Sequence, residues 1–251
     1  MINLKQEVIA VILKTIVIGV VCSLVIIFPT TMWAGEVRPE LSTLGDEEIS
    51  QRLRFIEQRL DEGRRHANYW QLGWSGFYAV SGAVQGTSAI RTDDGDNRAN
   101  YIVGATKSAL ALTTQLLQPL NARHGADEIR AMPGESRADK LNQLERGEDL
   151  LRQNAERAGE RTMWKTHLIS LAVNLAGGAA IWAFGDGKDA LISVASGIAF
   201  SELAIYTQPG RAITDLEDYE NKFSGYHSQK RFSWHLFPIK QGAGVGINFS
   251  F

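Results

Sequence analysis

The chain has one cysteine, Cys22, in 251 residues. It lies in an apolar N-terminal run, so the rest of the chain has no disulfide framework, Cys-based metal site or thiol nucleophile. Lack of cysteine is compatible with an oxidising compartment. Charge of neither sign dominates: 26 Lys and Arg face 28 Asp and Glu, for a formal net charge of −2. No basic excess advertises nucleic acid, and no acidic tract suggests disorder. The five histidines are scattered and form no His-Glu-x-x-His pair. Asp93, Asp94, Asp96 and Asn97 lack the spacing and distal Glu of an EF-hand loop. Like Asp186 and Asp189, they read as turn and helix-cap residues. Gly242-Ala243-Gly244 is followed by no helix, and Ser75 misses the nucleophile-elbow spacing. The sequence supports no enzyme, cofactor or metal site.

What the chain does have is one pattern that occurs twice, at residues 69–119 and 164–209. Each copy has an apolar helix rich in small residues, a tight Asp/Gly turn, a second such helix and then Gln-Pro. Trp70 matches Trp164, Gly104 matches Gly197, and Gln118-Pro119 matches Gln208-Pro209. A duplication of this kind predicts two similar hairpins that bury their faces on each other.

A charged helix precedes each copy. Over residues 46–68, Ile49, Leu53, Ile56, Leu60, Gly63 and Ala67, continued by Trp70, recur with alternating spacings of four and three. Asp46, Glu47 and Glu48 suit the first turn of that helix. The second charged helix, 136–163, has the weaker seam Leu141, Leu144, Leu151, Ala155 and Ala158. Both read as solvated helices with one face packed on a bundle, the alternative being an intermolecular coiled coil. Between the copies, 121–135 contains His124, Gly125, Pro133 and Gly134 and reads as an exposed linker with one short helical turn.

In the apolar helices small residues recur four apart, and such spacing lets helix backbones approach closely. Gly82, Gly86, Ala176, Gly177 and Gly197 are the packing residues expected on this basis. Lys107, His167 and Glu202 are the ionisable residues inside these segments. Each helix is about long enough to cross a bilayer, but Gln, Asn, Ser and Gly within them raise the cost of insertion. A Gly/Ala-packed bundle in the periplasm and four membrane spans both fit. With the mature start outside, the Arg-rich segment 123–165 would also lie outside, against the positive-inside tendency.

Residues 1–34 read as a secretory signal peptide. Lys5 and Lys14 give the charged start, residues 15–29 the apolar core, and cleavage falls after Ala34. An uncleaved anchor over residues 8–28 is the alternative, interrupted by Lys14.

At the other end, Phe232, Trp234, Leu236 and Pro238 alternate with Ser233, His235 and Phe237. Val245, Ile247, Phe249 and Phe251 alternate with Gly246, Asn248 and Ser250. Period two predicts two strands folded at Gln241-Gly242, with Phe232 opposite Phe251 and Trp234 opposite Phe249. The ending Ile-Asn-Phe-Ser-Phe resembles the C-terminal signal of bacterial outer-membrane β-barrel proteins, over about the last ten residues. The resemblance implies that Phe232, Trp234, Leu236, Val245, Ile247, Phe249 and Phe251 face membrane lipid, and that several chains combine to close a barrel, since the smallest common ones have about eight strands. The alternative is a hairpin whose apolar face packs on the helices.

The fold expected is mainly α: duplicated apolar helical hairpins preceded by amphipathic charged helices, with a C-terminal β-hairpin. The segments are 1–34, 35–120, 121–135, 136–210 and 211–251. The function expected is that of an exported, non-enzymatic cell-envelope protein in the outer membrane or periplasm. It would form a homo-oligomer, associate with outer-membrane lipid through the hairpin, and meet other envelope proteins but no nucleic acid. The alternative is an inner-membrane helical bundle, such as a small channel or transporter-like module.

Overall fold

The longest element is a helix of 46 residues, α2, spanning Asp46–Arg91. At 1.5 Å per residue it is about 69 Å long. The computed structural model describes residues 39–223, and beyond them the backbone of two strands. The N-terminal run with Cys22, read above as signal or anchor, lies outside the described residues. A short helix, α1 (Pro39–Ser42), precedes α2, and α3 (Gly95–Leu117) follows it. A 3-10 turn at Asn121–His124 leads to α4 (Asp127–Arg130) and α5 (Arg137–Thr162). Next come α6 (Trp164–Phe184), α7 (Gly187–Tyr206) and α8 (Arg211–Phe223).

The first charged helix and the first apolar helix, separate in the sequence reading, are one element. No proline falls between residues 46 and 91, so nothing there removes a backbone donor or clashes with the preceding turn. The second copy differs. Its charged helix α5 and apolar helix α6 are divided at Met163, whose backbone is extended at φ −68°, ψ 146°. Asp94 caps α3 by accepting from the amides of Asp96 and Asn97, and Asp186 caps α7 by accepting from Lys188. Ser136 and Asp139 form a reciprocal capping box at the start of α5.

Two layers result. The polar layer comprises the first half of α2 with α4, α5 and α8. Its core is the seam expected from the sequence: Ile49, Leu53, Ile56, Leu60, Leu141, Leu144 and Leu151 are all buried. At the centre, Arg52 donates to Glu48 at 2.6 Å and to the Phe223 carbonyl at 2.7 Å, and Tyr219 donates to the buried Glu148. Burial, then the adjacent Glu148 carboxylate, pushes the Tyr219 phenol well above its ordinary range. The apolar layer comprises the second half of α2 with α3, α6 and α7. The hairpins α2/α3 and α6/α7 meet mainly through α3 and α6.

The linker is not an exposed spacer. Ile129 and Ala126 are fully buried, and Gln143 reaches the Met132 carbonyl at 3.2 Å. Asp61 accepts from the Ala126 amide at 3.1 Å and pairs with Arg130, while Arg64 pairs with Asp127 at 2.9 Å. Charged side chains on the outer face of α2, which look merely solvated in the sequence, tie this segment down.

The C-terminal part of the expected fold is corrected. Residues 39–223 are helical between their turns, with no strand among them, so the described body is an all-α bundle without a β-hairpin in its layers. The strand pairing that exists lies beyond that body, between β1 (Phe232–Ile239) and β2 (Gly242–Phe249). Its register is also displaced by two residues from the expected one. Phe232 is opposite Phe249, Trp234 opposite Ile247, and Leu236 opposite Val245. A shift of two keeps each residue on its face, because strand side chains alternate with period two. Alternation therefore carries no information that separates the two registers, and the loop closes at Ile239 and Gly242 instead.

Gly125 has φ +59°, and a Cβ there would lie 2.6 Å from Asp61 Oδ1. Gly125→Ala is expected to cost about 1–3 kcal/mol from backbone strain, read as a lowered thermal midpoint. An unchanged midpoint would mean that the linker is not docked as described.

The Arg130 guanidinium, and after it the Ala126 amide, hold the Asp61 carboxyl below its usual 3.8, against partial burial. A carboxyl depressed in the folded state stabilises above its unfolded pKa and loses that contribution as pH falls through the folded value. Asp61→Asn should therefore lower the melting temperature at pH 7. The gap to wild type should close as the pH drops below about 4. A gap of constant size from pH 7 to pH 2 would contradict the pairing.

Candidate membrane interface

Every exposed large apolar side chain among the described residues lies between Tyr69 and Leu117 or between Met163 and Tyr206. None lies on the polar layer. The outward faces carry Leu72, Val80 and Val84 on α2, Leu116 on α3, Ile169 and Leu175 on α6, and Leu191 and Leu203 on α7. Ile90 is 85% exposed and Leu191 71%. A soluble bundle turns such residues inward, and an exposed apolar surface of this kind marks a site of interaction with a membrane or with other protein.

Length and composition agree. Among the described residues, two helices are long and apolar enough to cross a membrane: Trp164–Phe184 and the one that starts at Gly187, each with mean hydropathy 1.5. At 1.5 Å per residue, α6 and α7 are each about 30 Å long, the thickness of a bilayer's hydrocarbon core. Residues 69–90 of α2 carry no charge at all, and beyond its first turn α3 carries only Lys107. Aromatic residues gather at both ends of the layer. Tyr69, Trp74, Trp164 and Tyr206 stand at the junction with the polar layer, and Tyr101 and Trp182 toward the far turns. Trp and Tyr concentrate at membrane–water boundaries, where an amphipathic ring fits both phases.

Several polar groups of the layer bond between its helices. Gln85 donates to Ser81 at 2.9 Å and Ser108 to Ser81 at 3.2 Å, joining α2 to α3. Asn174, 2% exposed, donates to Ser201 at 3.1 Å, joining α6 to α7. Gln71 donates to the Gln115 carbonyl at 2.8 Å, and Trp70 to the Ala204 carbonyl at 3.0 Å. His167 and Glu202 meet at 2.7 Å between α6 and α7. Interhelical bonds of this kind and small residues at crossings hold helices together where lipid removes the hydrophobic drive.

The duplication extends to this chemistry. In each hairpin an amide from the first helix sits against a glycine of the second: Gln85 against Gly104, and Asn174 against Gly197. Four residues on from each glycine stands a serine that bonds the first helix: Ser108 donates to Ser81, and Ser201 accepts from Asn174. Gly104 and Gly197 align in the sequence, and Ser201 belongs to the small-residue series of its helix, but the match of Ser108 with Ser201 is not among the expectations above. The same four-residue spacing in both copies was the available signal.

The expected packing residues do not share one face. Gly82 lies at the α2/α3 crossing, where a Cβ would be 3.4 Å from Ser108 Cβ. Gly177 faces α3, with Lys107 Cδ and Val103 Cγ1 at 3.1 and 3.3 Å from its would-be Cβ. At 197 a Cβ would overlap Asn174 Oδ1 and lie 2.6 Å from Lys107 Nζ. Lys107 thus runs between Gly177 and Gly197 into the bundle. Gly86 has open space around it and Ala176 is exposed. Gly177 and Gly197 therefore lie where the two hairpins meet, Gly82 lies within the first hairpin, and Gly86 and Ala176 face outward. The side chains of Phe232, Trp234, Leu236, Val245, Ile247, Phe249 and Phe251 lie outside the described ones.

Among the described residues no group of three His, Cys, Asp or Glu could hold a metal ion. A cavity at the junction, lined by Arg59, Leu120, Asn154, Arg157 and Gln208, measures about 40 Å³, room for about one water rather than a substrate. No protein family matches the chain, and no match was found among curated proteins or solved structures. The fold and surface define a class only: a helical bundle with membrane-association features.

Gly197→Leu should force α6 and α7 apart and displace Lys107, at about 1–3 kcal/mol for overpacking. Gly86→Leu, made in open space, should leave the melting temperature within a degree or so by the same criterion. Equal destabilisation by both would contradict the packing described.

Proposed function

We propose that the chain is a non-enzymatic integral membrane protein. Its duplicated hairpins form a four-helix bundle in the bilayer and carry a charged helical layer at the membrane surface. One observation carries this reading: among the described residues, the exposed large apolar side chains are confined to the four helices of one layer and to Met163 at its edge. It takes up the inner-membrane alternative of the sequence. The outer-membrane reading through a strand hairpin is set aside, because the apolar surface of the described body is helical.

Charge asymmetry supports an orientation. The turns at the far end of the bundle carry only the cations Arg91, Arg98 and Lys188. Every other described arginine lies in the polar layer, from Arg52 to Arg211. Lys and Arg are enriched on the cytoplasmic side of membrane proteins, so the polar layer faces the cytoplasm and the Asp-rich turns face the opposite side. This reverses the topology that opposed the rule.

The protein should stay with membranes through alkaline carbonate washing. Single cysteines in a Cys22→Ser background then read the orientation. Asp93→Cys, at an exposed far turn, should react with an impermeant maleimide added outside intact cells. Gln153→Cys, on the polar layer, should react only after permeabilisation. Release by carbonate would overturn the membrane reading, and the reverse labelling pattern would overturn the orientation.

A further inference from the structure

The cations of the polar layer fall into two groups. One group is paired: Arg52 with Glu48, Arg59 with Asp218, Arg64 with Asp127, Arg146 with Glu128, and Arg211 with Asp215. The other group, gathered near the junction, is not. Among the described residues, Arg65, Arg123, Arg157, Arg161 and Lys165 have no carboxylate within 4.0 Å, the distance that defines the pairs above. Arg65 lies over the Tyr69 ring at 5.5 Å, and Arg157 donates to the Gln118 carbonyl.

Arg157 and Arg161 are the least expected of these. They sit one turn apart at the end of α5 and both are partly buried. Burial pushes both guanidiniums down from their usual value, and the charge of Arg161 pushes Arg157 down further. Glu160, on the same turn, acts on both through space without forming an ion pair with either. Two like charges, partly desolvated and adjacent, are costly unless an anion joins them.

Their position suggests which anion. The next residues are the exposed Met163 and Trp164, where the apolar surface begins. Tyr78 of the apolar layer lies within Coulomb reach of Arg161. The cations therefore stand at the level of the aromatic residues, where lipid headgroups sit. We infer that this junction binds the phosphate headgroups of anionic phospholipid, chiefly through Arg157 and Arg161, with Lys165 and Arg65 beside them. Guanidinium suits this task because its planar fork binds phosphate in bidentate fashion. The inference rests on the membrane reading and names the lipid chemistry that the bundle selects.

The test uses the full chain in a neutral detergent, titrated with phosphatidylglycerol or phosphatidylcholine while the thermal midpoint is followed. Phosphatidylglycerol should stabilise the wild type at lower concentration than phosphatidylcholine. Each cation near the surface contributes about fivefold in anionic-lipid affinity. Arg157→Gln/Arg161→Gln should therefore raise the concentration of phosphatidylglycerol needed by about 25-fold and leave the phosphatidylcholine response unchanged. Because Arg157 also bonds the Gln118 carbonyl, the exposed pair Arg65→Gln/Lys165→Gln is measured as well and should shift in the same direction. Equal response of the wild type to both lipids, or an unchanged phosphatidylglycerol response in the surface pair, would overturn the inference. Those results leave carbonate resistance untouched, so failure of the lipid site and failure of the membrane reading are distinguishable.

Discussion

The structure depends on where its apolar surface can go. The described residues include 22 exposed large apolar side chains, all on four helices except Met163 at the head of α6. Removing one such side chain from water is worth about 1.5–3 kcal/mol. Even a fraction of that, summed over the set, exceeds the 5–15 kcal/mol by which folded domains are typically stable. In water this surface would drive association; in a bilayer it is matched to its solvent. The inward polar bonds make the same point. Ser108 and Asn174 bond across helix pairs in the interior, while Val80, Leu175 and Leu191 face outward.

The polar layer is built differently and meets the apolar layer at a sharp boundary. Its core is a leucine and isoleucine seam closed by the linker and α8, with Arg52, Glu148 and Tyr219 bonded at its centre. The boundary is fixed at Trp70, packed with Ala67 and Leu120, and by Gln71, which takes the Leu120 amide at 3.1 Å. Helix α2 runs through it without a break, whereas the second copy bends at Met163. The copies thus have similar hairpins but different attachments. Trp70 is buried and bonded to Ala204, while its counterpart Trp164 is exposed.

Much of this was legible in the residues, and the failures have physical reasons. The seam from Ile49 to Trp70 and that from Leu141 to Ala158 were readable because burial on one helix face imposes a period near 3.6. The aspartate caps were readable because capping is local. The continuity of α2 was not, because a change from charged to apolar composition looks like an element boundary, although nothing in 46–91 ends a helix. The docking of the linker was hidden for another reason. It depends on Asp61 and Arg64 meeting Ala126, Arg130 and Asp127, contacts more than sixty residues apart. The strand register slipped by two because alternation is blind to an even shift. Which small residues pack and which face outward was also beyond periodicity. Gly177 and Ala176 are neighbours, yet only Gly177 is buried.

The central claim is that the outer face of the apolar layer is in lipid. A nitroxide at Val80→Cys or Leu175→Cys, in the full chain with Cys22→Ser reconstituted in liposomes, measures this through collision rates with oxygen and with a polar nickel chelate. Both sites should collide readily with oxygen and hardly at all with the chelate, while a label at Gln153→Cys should show the reverse. Strong chelate collisions at Val80 and Leu175, equal to those at Gln153, would contradict the account.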